Sequence, residues 1–370
     1  MDNSTYCHPV TVSPPRAWAE IDFSALHHNL AMVRQRAGKD VMAVIKAGAY
    51  GHGLVEVARE LDQENLPFLG VANAGEARRL FEAGIKTRPY ILGATLPAER
   101  EEIAARDWTP CLCSIEEMEH FNSLGRAQPV QAHLALDTGM GRGGFLPHQL
   151  GGALEKLKSC SGILLTGIGS HLPVADEDNE FTRKQFELFD SLVEGIPKPS
   201  GPFHIHLSNS AGILGFHSRT TNLVRPGLTL YGISPIPAEQ ELFRPVMSLK
   251  TRVSLIHSLP RGHGVSYGRT ILSRDTQAAV LGIGYGDGYS RSLSGKNAQV
   301  VIRDTLCPIL GRVTMDQIIV DVTELEHCEA GDIATLFGTE ILASDLAEKA
   351  GTIAWELLTQ ITPRVDRVYL

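Results

Sequence analysis

Between about residues 17 and 240, eight short apolar runs alternate with amphipathic stretches, and few folds accommodate that rhythm. The runs are Val41–Ile45, Phe68–Ala72, Tyr90–Leu92, Pro110–Cys113, Gln131–Leu136, Ile163–Gly167, His204–Leu207 and Leu223–Arg225. Each has the length of a strand, and most of the intervals read as helix. Gly75–Ala83 and Thr182–Leu192 are the clearest, with apolar residues three or four apart. Buried strands separated by helices predict a parallel (β/α)8 barrel. An additional helix is expected over Ile21–Arg34, with Asp22 or Ser24 as its N-cap.

The rhythm changes after about Ile236. Pro235, Pro237 and Pro245 break any helix across that stretch. Strand-like runs follow at Val246–Ser254, Thr276–Gly282, Gln299–Arg303, Cys307–Val313, Ile318–Val322 and Ile333–Phe337, with turn signals such as Ser294-Gly295-Lys296-Asn297 between them. A helix around Ala343–Ala350 closes the series. The chain is 370 residues long, which suits two domains: a barrel over 12–240 and a mainly β domain over 241–370.

Lys46 carries the first chemical signal. It ends the run Val41–Ile45 and opens the small-residue loop Ala47-Gly48-Ala49-Tyr50-Gly51-His52-Gly53. Desolvation at a strand end disfavours a charged ammonium, so its pKa should fall and the amine become a nucleophile. The glycines let backbone N–H groups approach an anion, and a helix from Leu54 to Leu61 would add its dipole. A nucleophilic amine beside a phosphate cradle describes a pyridoxal 5'-phosphate site. A lysine snorkelling from a strand end would look the same on this segment alone.

Composition excludes several classes. Hydrophobic residues make up 43% and charged residues 21%, as in an ordinary globular protein. A formal net charge of −8 without a basic run argues against a nucleic-acid surface. The apolar stretches fall short of the ~20 residues of a membrane span. Met1–Cys7 lacks the basic and apolar regions of a secretory signal. The six cysteines, Cys7, Cys111, Cys113, Cys160, Cys307 and Cys328, are too sparse for a disulfide scaffold. Cys111-Leu112-Cys113 lacks the second half of a zinc site, so no metal is expected. Reduced, mostly buried thiols in a cytoplasmic protein are the expectation.

Ala43-Val44-Ile45-Lys46-Ala47 and Ala49-Tyr50-Gly51-His52-Gly53 resemble the cofactor-lysine motif of alanine racemases. Further matches follow in family order: Asp137-Thr138-Gly139-Met140-Gly141-Arg142, Ser170-His171, Ser208-Asn209-Ser210-Ala211, Arg225-Pro226-Gly227, Val265-Ser266-Tyr267-Gly268, Gly284–Gly288 and Gly311–Gln317. The resemblance runs from about Ala17 to the C-terminus. It implies a pyridoxal phosphate enzyme that interconverts L- and D-alanine, supplying D-alanine for peptidoglycan. It also implies a homodimer with shared active sites.

Residue by residue, the resemblance makes Lys46 one base and Tyr267, contributed by the partner subunit, the other. It sets Arg225 against the pyridine nitrogen, with His171 linking the tyrosine to that arginine. Tyr50, Asn209, Ser210, Gly227 and Leu228 belong to the cofactor site, several of them at the phosphate. Phosphate sites of such barrels often lie after strands seven and eight, where Ser210 and Gly227 fall. Arg142 and Met315 resemble residues at the substrate carboxylate, and Tyr285 one that narrows the entry channel. Asp176, Asp287 and Arg291 are charged neighbours of that mouth. Three departures stand out. Ala135 replaces a lysine, often carbamylated, that orients the arginine in many members, and Gly48 replaces an asparagine. Pro363 stands where some members supply a phosphate-binding tyrosine, so no phosphate contact is expected there. A racemase of serine or of a broader set remains an alternative, because one hydroxyl or methylene changes binding modestly. A non-catalytic carrier of the cofactor is a second alternative; such carriers usually lack the β domain with its tyrosine.

Overall fold

The computed structural model describes residues 14–196 and 201–370. Cys7 and the Met1–Cys7 segment lie outside the described residues.

The strand β1 (Ala17–Ile21) precedes eight parallel strands: β2 (Asp40–Val44), β3 (Phe68–Val71), β4 (Pro89–Ile91), β5 (Cys111–Leu112), β6 (Val130–Ala135), β7 (Ile163–Gly169), β8 (His204–His206) and β9 (Leu223–Val224). Their order is β4-β3-β2-β9-β8-β7-β6-β5. Thr109, just before β5, bridges Tyr90 of β4 and closes the ring. Ile91 N–H donates to Thr109 O (2.9 Å) and Thr109 N–H to Pro89 O (3.0 Å). These strands are buried on both faces, which is why they read as unbroken apolar runs. Met42, Phe68, Tyr90, Cys111, Ala135 and Leu223 pack together inside the barrel. Helices cover the outside, capped by side chains the sequence supplies. Asn73, Ser114 and Asp178 cap Ala74–Glu82, Ile115–Leu124 and Asn179–Glu194.

The additional helix spans Phe23–Ala37, and Asp22 caps it by accepting from Ala25 N–H. It begins later than expected because Ile21 is already committed to β1. That strand pairs antiparallel with β10 (Met247–Leu259), Trp18 opposite Lys250, and so belongs to the second sheet. The proline-rich stretch is not wholly irregular either: Pro237–Leu242 forms a 3-10 helix with proline at its first turn, where no N–H is required.

The second domain adds β11 (Gly264–Val265), β12 (Thr270–Ile271), β13 (Thr276–Leu281), β14 (Gln299–Ile302), β15 (Thr305–Leu310), β16 (Ile318–Asp321), β17 (Ile333–Phe337) and β18 (Asp366–Tyr369). The main sheet runs β13-β16-β15-β14-β17-β10-β1-β18, and β13 also pairs with the long β10, so the sheet curls back on itself. Helices Ala343–Ala350 and Ala354–Thr359 precede the last strand. That last helix and β18 join the two domains: the backbone of Leu358 lies against Gly51, and Gly51 O accepts from Arg367 Nε of β18 (3.1 Å). Among the described residues no helix is long and apolar enough to cross a membrane, and Cys111, Cys113, Cys160, Cys307 and Cys328 are free thiols.

Candidate active site

A cavity of about 590 Å3 opens at the C-terminal ends of the barrel strands, where barrels of this kind carry their sites. Its wall includes Lys46, Tyr50, Arg142, His171, Asn209, Ser210, Arg225, Gly227 and Leu228. Residues scattered over more than 180 positions of sequence thus meet in one place.

Lys46 stands just past β2 and is half-buried. Burial lowers its pKa from the ordinary lysine value, Arg142 and Arg225 lower it further, and Glu76 opposes them. The loop after it takes an unusual path. Ala47, Gly48, Ala49 and Tyr50 all have left-handed φ, from 53° to 64°. Such a run is strained for three non-glycine residues. His52 and Glu76 hold it. His52 Nδ1 lies 3.0 Å from both Ala49 O and Tyr50 O, and Glu76 accepts from Gly48 N–H at 3.2 Å. The turn aims the Tyr50 side chain back into the cavity.

The expected anion cradle is placed differently. Gly53 and the start of helix Leu54–Asp62 face the Tyr369 hydroxyl and Glu56, and the cavity wall takes only Lys46 and Tyr50 from this loop. The polar end of the cavity is built after the seventh and eighth barrel strands instead. Ser210 Oγ accepts from Gly227 N–H (3.1 Å) and Thr229 N–H (3.3 Å). Asn209 caps the short helix from Ser210 and donates to Leu172 O at 3.1 Å. A Cβ on Gly227 would stand 2.3 Å from the Tyr50 hydroxyl, so only glycine permits that approach. Burial pushes the Tyr50 phenol up, keeping it protonated as a donor.

Arg225 is 6% exposed, and both of its terminal nitrogens are engaged. Its Nη2 donates to Ser170 O (2.6 Å) and lies 3.2 Å from His171 Nδ1, and its Nη1 is 2.5 Å from His206 Nδ1. Burial, with Arg225 and Arg142 adding to it, pushes the His171 imidazole down to about 3. A neutral His171 accepts from Arg225 at Nδ1 and therefore carries its proton on Nε2. Arg142 is exposed and makes no hydrogen bond or ion pair among the described residues. Ala135 stands in the same wall without a polar atom to offer it.

Tyr267, Tyr285 and Met315 are elsewhere. They are 71%, 40% and 52% exposed and contribute nothing to the cavity wall. Tyr267 lies in the turn between β11 and β12, with Ser266, Gly268 and Arg269 at positive φ. Ser266 Oγ donates to Arg312 O (2.7 Å), Tyr285 N–H to Thr314 O (2.9 Å) and Gly286 N–H to Met315 O (2.9 Å), so the three loops form one exposed surface. Asp287 is buried beneath it and pairs with Arg364 at 3.2 Å. Asp176 lines the cavity, whereas Arg291 does not.

Several wall residues had no signal in the sequence reading. Cys111, Cys113 and His206 come from the barrel interior, where they read as strand. Ile353 and Trp355 reach the mouth from beyond the last expected helix. Glu76 is detectable in principle, three residues after the N-cap Asn73.

Comparison with known proteins matches residues 21–235 to the alanine racemase N-terminal domain and 246–369 to the alanine racemase C-terminal domain. An alanine racemase of Methylacidiphilum infernorum is 39% identical, covering 100% of this chain and 96% of that protein. One of Halothermothrix orenii is 39% identical over 95% of this chain and 96% of its own. Among solved structures, alanine racemase of Clostridium difficile 630 superposes with a TM-score of 0.88 at 33% identity, covering 97% of each chain. The biosynthetic alanine racemase of Pseudomonas aeruginosa gives 0.88 at 30% identity, over 96% of this chain and 100% of its own.

Proposed function

This chain belongs to the alanine racemase family, and from that premise we propose that it interconverts L- and D-alanine with pyridoxal 5'-phosphate held at Lys46. The observation that carries the reading is the cavity itself. A desolvated lysine amine, a buried guanidinium and a cluster of N–H and hydroxyl donors line one wall. They fit the aldehyde, the pyridine nitrogen and the phosphate respectively. Lys46 would hold the aldehyde, Arg225 would face the ring nitrogen, and Tyr50, Ser210, Gly227 and Leu228 would take the phosphate, with Asn209 ordering that end.

Bound there, the cofactor delocalises charge from the substrate Cα and so acidifies its C–H bond. The chain supplies the proton transfers. The Lys46 amine, its pKa lowered by burial and by Arg142, takes the proton from one face. A second base must return a proton on the other face, and we assign it to the partner's Tyr267. His171, with its proton on Nε2, is set to donate to that phenolic oxygen and stabilise its ionised form. Arg225 gives up no proton of its own, so a ring nitrogen held against it would stay unprotonated and the electron sink would stay moderate. Arg142 would bind the substrate carboxylate beside Met315 of the partner subunit, and the partner's Tyr285 would narrow the entrance.

The carrier alternative leaves residues 246–369 and their tyrosine without a role. In this reading the enzyme is a cytoplasmic homodimer, and its D-alanine serves peptidoglycan. The test is incubation with single enantiomers of alanine and serine followed by chiral chromatography. Conversion of alanine in both directions is expected. An unchanged alanine enantiomer would refute the activity, and faster conversion of serine would reassign the substrate.

A further inference from the structure

Below the cavity, inside the barrel, lies a line of side chains that the proton transfers do not use. Arg225 Nη1 is 2.5 Å from His206 Nδ1, and His206 Nε2 is 2.9 Å from His133 Nδ1. A guanidinium only donates, so His206 Nδ1 presents a lone pair and its ring proton sits on Nε2. That proton goes to His133 Nδ1, which leaves the proton of His133 on Nε2. His133 Nε2 is buried and has no partner among the described residues. Burial above all, with Arg225 and neighbouring imidazoles, holds both rings neutral.

The fold makes three concessions to this line. An unpaired buried N–H is destabilising, and phenylalanine would fill the same aromatic pocket of Phe68, Tyr90 and His204 without one. Gly167 and Gly169 leave strand β7 without side chains where it crosses the rings. A Cβ on Gly167 would lie 2.6 Å from His204 O and 2.7 Å from the His133 ring, and one on Gly169 2.0 Å from His206. The pairing of β6 with β7 also slips, Ala132 opposite Leu165 and His133 opposite Gly167, so Thr166 is an extra residue that brings both glycines inward.

We propose that His133 is a positioning residue: by accepting the His206 proton it fixes the tautomer that turns a lone pair toward Arg225, and so holds the guanidinium at the cavity. The inference rests on the reading that Arg225 faces the cofactor. His206 is the one hydrogen-bond partner of Nη1 among the described residues. If His206 carried its proton on Nδ1, two donors would meet and the guanidinium would swing away.

The test is two-bond proton–nitrogen NMR of the cofactor-loaded protein with isotope-labelled histidine, assigned by single substitutions, combined with the visible spectrum and kcat. In the unmodified protein His206 and His133 should both carry the proton on Nε2. His133→Phe should move His206 toward the Nδ1 tautomer, shift the cofactor band and lower kcat about tenfold, the scale of one buried hydrogen bond. His133→Asn keeps an acceptor near Nδ1 and should restore all three. A proton on Nδ1 of either histidine in the unmodified protein would overturn the proposal whether or not the variants fold. So would a His133→Phe protein that keeps the His206 tautomer or an unchanged cofactor band. The tautomers are read without turnover, so their failure is distinguishable from failure of the racemase reading, which the chiral assay decides.

Discussion

A site divided between two chains makes a quantitative prediction about mixing. Lys46 lines the cavity, whereas Tyr267 is 71% exposed on a different surface of the same chain. If both bases serve one site, the tyrosine comes from a partner. Lys46→Ala and Tyr267→Phe homodimers then lack one base at every site. Losing a positioned base lowers the rate by about 10²–10⁴. A mixed dimer is different: one site pairs the intact lysine with the intact tyrosine, and the other has neither. Random exchange of equal amounts makes about half of the dimers mixed, each with one working site in two, so activity should reach about one quarter of wild type. Tyr267→Phe removes one hydroxyl and keeps the ring, so the contact surface is conserved. The assay is chiral chromatography of alanine on the exchanged mixture, with native mass spectrometry counting the mixed dimers. Recovery should rise linearly with that count. Mixed dimers without recovery would refute the argument, since that result requires both bases on one chain.

Other consequences are more local. Lys46→Ala should abolish the adduct that borohydride fixes to the protein in the presence of pyridoxal phosphate, and peptide mass spectrometry should find that adduct on Lys46 alone in the parent. Gly227→Ala sets a methyl 2.3 Å from the Tyr50 hydroxyl; one displaced phosphate donor should weaken cofactor binding about tenfold by titration of the apoprotein. The His52 imidazole is pushed down to about 4 by burial, from an ordinary 6.5. Between these values the unfolded chain binds a proton that the folded one refuses, so this contribution is complete above pH 6.5 and about 3 kcal/mol is lost on acidifying to 4. Thermal midpoints should fall across that window, and His52→Gln should flatten the slope.

The barrel was legible because its strands are buried on both faces and its helices on one; hydrophobicity alone then encodes the alternation. Lys46 was legible for a related reason, as a charge at the end of an apolar strand. What the sequence hid was set by partners distant in the chain or by backbone shape. Ala17–Ile21 is a short strand whose neighbours are Met247–Thr251 and Asp366–Tyr369, so no local pattern announces it. The left-handed turn at Ala47–Tyr50 is written in alanine and tyrosine, which signal nothing of the kind; Gly48 is its one local licence. That turn carries the Leu54 helix away from the cavity and makes the glycine cradle read from the motif a different structure. His133 and His206 were absorbed into strands as ordinary residues. A readable trace does exist, Gly167-Ile168-Gly169 inside a buried strand, where glycine marks the close approach of another group. Gly169 faces the His206 imidazole and Gly167 both the His133 imidazole and the His204 carbonyl, and the imidazoles lead to Arg225. The polar line in the barrel is therefore the part of the site that sequence marks only by missing side chains.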